Sequence, residues 1–104
     1  NSAEATAGRI VSLSTAMFDV YAARHPDKAL AEVAQDFVNV IRGGFEQGYQ
    51  EAQDILNSLG VLGEGSPIAQ GIAKTFELVQ KGYDDWLASK LAVTSDTSKE
   101  TANA

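Results

Sequence analysis

The sequence predicts an all-α protein: an antiparallel three-helix bundle with a long, kinked middle helix and a disordered C-terminal tail. Three observations carry this expectation. Apolar residues recur at three- and four-residue steps in three separate stretches, and the two prolines, Pro26 and Pro67, stand at the starts of the second and third. Gly60, Gly63 and Gly65 gather between the second stretch and the third, as a connection requires. With 104 residues, 44% of them hydrophobic, the chain has material for one core and not for two independent domains. A single domain is expected over residues 1–91, with the tail over 92–104.

The first helix is expected over about residues 5–24, where Ile10, Leu13, Met17, Val20 and Tyr21 form an apolar stripe that Val11 and Phe18 widen. His25-Pro26 ends it, because a residue before proline is pushed out of the α region and the proline itself donates nothing to the preceding turn. Pro26 suits the opening turn of the second helix, and Asp27 the positive end of its dipole. That helix, expected over 26–59, carries Leu30, Val33, Ala34, Phe37, Val38, Ile41, Phe45, Tyr49, Ala52, Ile55, Leu56 and Leu59 in one phase. The phase continues across Gly43-Gly44, so the pair reads as a bend rather than a loop, although two glycines cost about 1 kcal/mol each against Ala. At 1.5 Å per residue the second helix would be about 50 Å long against about 30 Å for the first, a mismatch that a kink near Gly43 would relieve.

Gly60 is placed to cap the second helix in the left-handed conformation, with Val61 or Leu62 supplying the accompanying apolar contact. Residues 62–66 read as a loop. Ser66-Pro67 then opens the third helix, expected over 67–91, with the hydroxyl as cap and the proline in the first turn. Ile68, Ile72, Phe76, Val79, Tyr83 and Trp86 form its stripe, extended by Leu87 and Leu91, and Glu77 with Lys81 makes a favourable surface spacing. Beyond Ala92 the chain is too polar to bury a face.

Composition excludes much chemistry. With no Cys there is no thiolate nucleophile, disulfide, iron–sulfur cluster or cysteine zinc site. A formal charge of −6, with eight scattered cations, disfavours a nucleic-acid surface. No stretch approaches a membrane span, so no membrane insertion is expected. His25, the one imidazole, sits at a junction with no sequence-specified partner and reads as a corner residue. The spaced acids Glu51 and Asp54, and the adjacent Asp84 and Asp85, are candidates for a hard cation or for acid–base work, yet they lie off the apolar stripes, where charges normally keep a helix solvated. Ser12, Ser14 and Thr15 have no activating neighbour, and the glycines around Glu64 lack the Lys-Ser/Thr of a phosphate loop. The reading is therefore non-enzymatic, without cofactor or metal.

What remains is steric. Gly44, Gly48 and Ala52 recur every four residues on the second helix, and Gly71 and Gly82 stand on the third, a spacing that lets another helix come close. The near neighbour is either a helix of the same bundle or a partner. Aromatic residues interleave with these positions, and Tyr and Trp are enriched at interface hot spots. The candidate interaction residues are accordingly Gly44, Phe45, Gly48, Tyr49, Tyr83 and Trp86. They point to a protein partner or to self-association. The alternative is a small-molecule or metal-binding pocket between the second and third helices, in which Glu46, Gln47, Glu51 or Asp54 joins the same aromatics. If the second helix outreaches the first, its surplus apolar face needs a cover, supplied by the tail, a second copy or another protein.

The segment from Asp36 through Arg42-Gly43-Gly44-Phe45-Glu46-Gln47-Gly48-Tyr49 to Ile55-Leu56-Asn57-Ser58-Leu59-Gly60-Val61-Leu62, with the stretch from Ile72 through Thr75-Phe76-Glu77-Leu78-Val79-Gln80-Lys81-Gly82, resembles a bacterial helical domain family of unknown function. The resemblance covers about residues 9–91. It implies a bacterial source and a modular domain, usually near the C-terminus of a longer protein, an expectation that fits a chain starting at Asn1 without Met. It implies no activity and transfers no site residues. Some members are labelled hydrogenase components, but a cysteine-free chain with one histidine cannot ligate such metal centres itself. The compartment is taken as cytoplasmic by default alone.

Overall fold

The computed structural model describes the backbone of residues 2–103 and the side chains of residues 2–92. Regular structure in the described chain is helical throughout: α1 (Ser2–Thr15), α2 (Phe18–Ala23), α3 (Leu30–Ser58) and α4 (Pro67–Asn103). The bundle has three helical layers, because α1 and α2 are two halves of the expected first helix. The side chains of the tail expected over 92–104 lie, from residue 93 on, outside the described residues.

The first helix breaks at Ala16-Met17, and the sequence around the break explains it. Ser14 Oγ donates to the carbonyl of Ile10 at 2.6 Å and Thr15 Oγ1 to that of Val11 at 2.8 Å. Such back-bonding hydroxyls bend helices. The break corrects the expected stripe. Phe18 is buried, whereas Leu13, Met17 and Val20 are 73%, 57% and 49% exposed. Leu13 is already exposed before the break; after it, Phe18 and Tyr21 face the core while Met17 and Val20 face out.

Residues 24–29 form a connection, so the second helix starts at Leu30 and not at Pro26. Ala29, in extended conformation, precedes its first turn. From there α3 runs unbroken through Gly43-Gly44 to Ser58. The pair is held from both sides, since Arg42 hydrogen-bonds Gln80 and Asp84 on α4 while the Phe45 ring stacks on Phe76 at 5.6 Å. At the end of α3, Gly60 adopts φ +75°. Its amide donates to Asn57 O at 3.0 Å and that of Val61 to Leu56 O at 3.3 Å, the paired bonds of a Schellman ending. Gly65 takes φ +79° to close the loop. Ser66 caps α4 through its Oγ, which accepts from the Ala69 amide at 3.3 Å.

The partners Phe37–Trp86, Arg42–Asp84, Arg42–Gln80 and Phe45–Phe76 step in opposite directions along α3 and α4, which defines an antiparallel hairpin. The core occupies only one half of it. One cluster joins Ala7 of α1 to Val38, Val79 and Tyr83; the other joins Phe18 of α2 to Val33, Ala34 and Phe37. Val38, Val79 and Tyr83 are almost fully buried, each contributing about 1.5–3 kcal/mol relative to exposure. Phe18 meets Phe37 at 5.2 Å and Trp86 at 5.1 Å, both edge to face.

Candidate functional site

α3 has 29 residues against 14 in α1 and 6 in α2, so the broken helix that covers the hairpin is shorter than the hairpin itself. α3 is continuous through Gly43-Gly44, and the length mismatch foreseen from the sequence remains. Beyond α1 the furrow between α3 and α4 is open. Thr6 and Ile10 of α1 close its inner end; Gly44, Phe45, Gly48, Tyr49, Ala52, Gln53 and Leu56 of α3 form one wall, and Ile72 and Thr75 of α4 the other. The hollow measures about 450 Å³. Further out, Ile55, Leu59 and Ile68 are 63%, 69% and 50% exposed.

The four-residue glycine spacing acquires its meaning here. A Cβ built on Gly44, Gly48 or Gly71 would meet nothing within 4 Å. These are positions where a helix could approach, and among the described residues none does. Gly82 is the opposite case: a Cβ there would lie 2.7 Å from Val11 Cγ2 of α1. The intramolecular explanation of small residues therefore holds at Gly82, and the open one at Gly44, Gly48 and Gly71.

Of the six candidate interaction residues, four lie together on the groove wall: Gly44, Phe45, Gly48 and Tyr49. Tyr83 does not. It is fully buried, its hydroxyl 2.9 Å from Ser14 Oγ, and its ring beneath the Arg42 guanidinium at 5.7 Å. A partner cannot touch it, because α1 and Arg42 already cover it. Trp86 is half-buried in the other core cluster with Phe18 and Phe37, and the Lys90 ammonium lies 5.4 Å from its ring. Helical phase placed Tyr83 and Trp86 correctly on the inner face of α4, but at the covered end of it.

Phe76 is the aromatic that belongs with Tyr49 and Phe45. Its ring lies 4.4 Å from Tyr49 and 5.6 Å from Phe45. Its place in the apolar stripe was visible; its level along the hairpin was not. Ile10 and Ile72 were visible only as stripe residues, and Thr6 and Thr75 had no signal, since only the register between helices brings the four to the groove.

The acidic candidates disperse. Asp84 accepts from Arg42 at 2.6 Å and Asp85 from Lys81 at 2.8 Å. Lys81 thus pairs with Asp85 rather than with Glu77, and the hydrogen bond from its ammonium to that carboxylate raises its pKa above 10.5. Lys28 bonds Asp36 at 3.1 Å and is raised for the same reason. Glu46 accepts from Gln80 at 2.7 Å, Asp54 from Gln50 at 3.1 Å, and Glu51 weakly from Gln47 at 3.5 Å. Among the described residues no three of His, Asp and Glu converge as a metal site would require. His25 packs its ring 4.7 Å from Tyr21. Among the described residues no helix is long and apolar enough to cross a membrane.

The architecture is thus that of an all-helical domain in which a broken first helix covers half of a longer antiparallel hairpin. The chain matches a domain family of unknown function, DUF5610, over residues 1–86, and it belongs to that family. No curated protein and no solved structure matches it.

Proposed function

We propose that the domain is a non-enzymatic interaction module whose open α3–α4 groove seats a helix from outside the described bundle. The observation that carries this reading is the vacant approach at Gly44 and Gly48, beside the groove-lining rings of Phe45 and Tyr49, which Phe76 backs. α1 lies in the same furrow further along, packing Ala7 and Ile10 into the first core cluster, so the furrow is already suited to receiving a helix. An amphipathic helix in an apolar groove is a recurrent recognition mode, read through anchors at three- and four-residue spacing. The lining offers Thr6, Gln53, Thr75 and the Tyr49 hydroxyl but no His, Lys or carboxylate, which supports binding over catalysis.

The test is fluorescence anisotropy with a labelled amphipathic peptide of about four helical turns whose polar face is uncharged. Saturable binding to the wild-type chain and its loss in Gly48→Leu are expected. Gly48→Leu fills the groove while improving helix propensity. Equal binding to the filled variant would remove the groove from the reading. The volume of about 450 Å³ also suits a small apolar ligand, since such pockets span about 300–1,000 Å³. That second reading predicts a ligand mass retained in native mass spectrometry and a melting temperature that rises with the ligand.

A further inference from the structure

We propose that the domain has a second contact face, on the outer side of α1 and α2, which takes an amphipathic helix of another polypeptide whose apolar anchors are flanked by Glu or Asp. Arg9, Leu13, Met17, Val20 and Arg24 follow one another at steps of four, four, three and four residues, the spacing of one helix face. All five are exposed, while Ala7 and Phe18 turn another side of the same helices into the core. Single exposed apolar residues are ordinary, but Leu13, Met17 and Val20 form one patch. Beside them lies a hollow of about 210 Å³, lined by Met17, Val20 and Arg24 together with half-buried Tyr21 and buried Phe37. That is below the roughly 300–1,000 Å³ of small-ligand pockets and suits one apolar side chain of a partner.

Charge identifies the partner. Arg24 belongs to the lining of the hollow itself. Among the described residues neither Arg9 nor Arg24 makes an ion pair, whereas Lys28, Arg42 and Lys81 do. The face is thus apolar in the middle and cationic at both ends, with about 22 Å of helix path between the two guanidinium-bearing residues. Guanidinium groups hold carboxylates through paired hydrogen bonds, and Arg and Met are enriched at protein interfaces. Asp19 and Asp27 are exposed nearby, but neither stands in the five-residue stripe nor lines the hollow. An anionic lipid surface fits less well: a flat bilayer leaves a hollow unfilled, and its headgroups would also meet Asp19, Asp27 and a chain of charge −6. A short acidic helix reaches the stripe alone. The hollow shares no lining residue with the α3–α4 groove, so this inference stands apart from the groove reading.

The experiment measures fluorescence anisotropy of three labelled helical peptides of about four turns, titrated with the full chain. They share one Leu-rich face and carry Glu, Gln or Lys beside it. At about 0.01 M salt, where the screening length is about 30 Å, the Glu peptide is expected to bind about tenfold or more tightly than the Lys peptide. At about 1 M, with screening at about 3 Å, the gap should close. Arg9→Glu with Arg24→Glu should reverse the preference, and Met17→Gln with Val20→Gln should weaken the Glu peptide at both salts. Both pairs are exposed, so circular dichroism should show the helices unchanged. Gly48→Leu should leave the Glu peptide bound. Equal affinity for the three peptides, or Glu-peptide binding that ignores the arginine variant, would overturn the inference; if that binding is lost in Gly48→Leu instead, the groove reading stands without it. Sedimentation with phosphatidylserine vesicles that requires Arg9 and Arg24 would overturn it in favour of a lipid surface. A dimer mass in native spectra, converted to monomer by Arg24→Glu, would do so in favour of a second copy.

Discussion

One substitution, glycine to alanine, should have opposite effects at two positions of this domain. In a helix interior alanine is favoured over glycine by about 0.8–1 kcal/mol, so a Cβ that enters empty space is a gain. At Gly48 nothing lies within 4 Å of the added atom, and Gly48→Ala should stabilise the chain by about 0.5–1 kcal/mol. At Gly82 the same atom would sit 2.7 Å from Val11 Cγ2. Valine in a helix has one strongly preferred rotamer, so Val11 cannot swing aside freely, and α1 itself must shift. Overpacking of this kind costs about 1–3 kcal/mol, which outweighs the propensity gain. The expected difference between the two variants is about 1–3 kcal/mol, or roughly 4–8 °C in melting temperature for each kcal/mol in a domain of this size. Urea and thermal denaturation followed by far-ultraviolet circular dichroism measure it. If Gly82→Ala proves as stable as Gly48→Ala, α1 does not lie against α4 as described, and the case for an open groove beyond it loses its footing.

Three further outcomes are expected. Phe37→Ala should destabilise by about 3–5 kcal/mol in the same assay, because it removes a buried ring that meets Phe18, Tyr21 and Trp86. Tyr83→Phe should cost only about 0.5–1.5 kcal/mol, since the ring stays packed and Ser14 keeps its bond to Ile10 O; a loss above 3 kcal/mol would mean the hydroxyl holds more than this one contact. The ion pairs of Lys28 and Lys81 raise the folded-state pKa above 10.5. Their stabilisation is therefore complete below that value and lost as pH rises through the folded pKa, and an alkaline melting series in Lys28→Met and Lys81→Met should show a shallower decline than wild type.

Much of the fold was legible locally. Prolines, glycines and apolar spacing located the start of the third helix, the Gly60 ending and the Ser66 cap because those features depend on neighbours a few residues away. The break after Thr15 was harder to read. It arises when hydroxyls of Ser14 and Thr15 turn back on their own helix, and its effect, Met17 and Val20 exposed beside a Phe18 buried against Phe37 and Trp86, appears only in the packed bundle. Half of the groove wall was visible as Gly44, Phe45, Gly48 and Tyr49, since one helix presents them in phase.

The sequence by itself determined the inward-facing stripes of α3 and α4, for periodicity is a property of a single segment. Only the tertiary structure decided which inward faces are covered. That depends on relative length and register: α1 stops near the level of Phe45, so Tyr83 is buried beneath it while Tyr49, two helical turns from Arg42 on α3, is left beside an open furrow. The same chemistry makes core at one end of the hairpin and a vacant groove at the other, and the difference is the presence of a third helix.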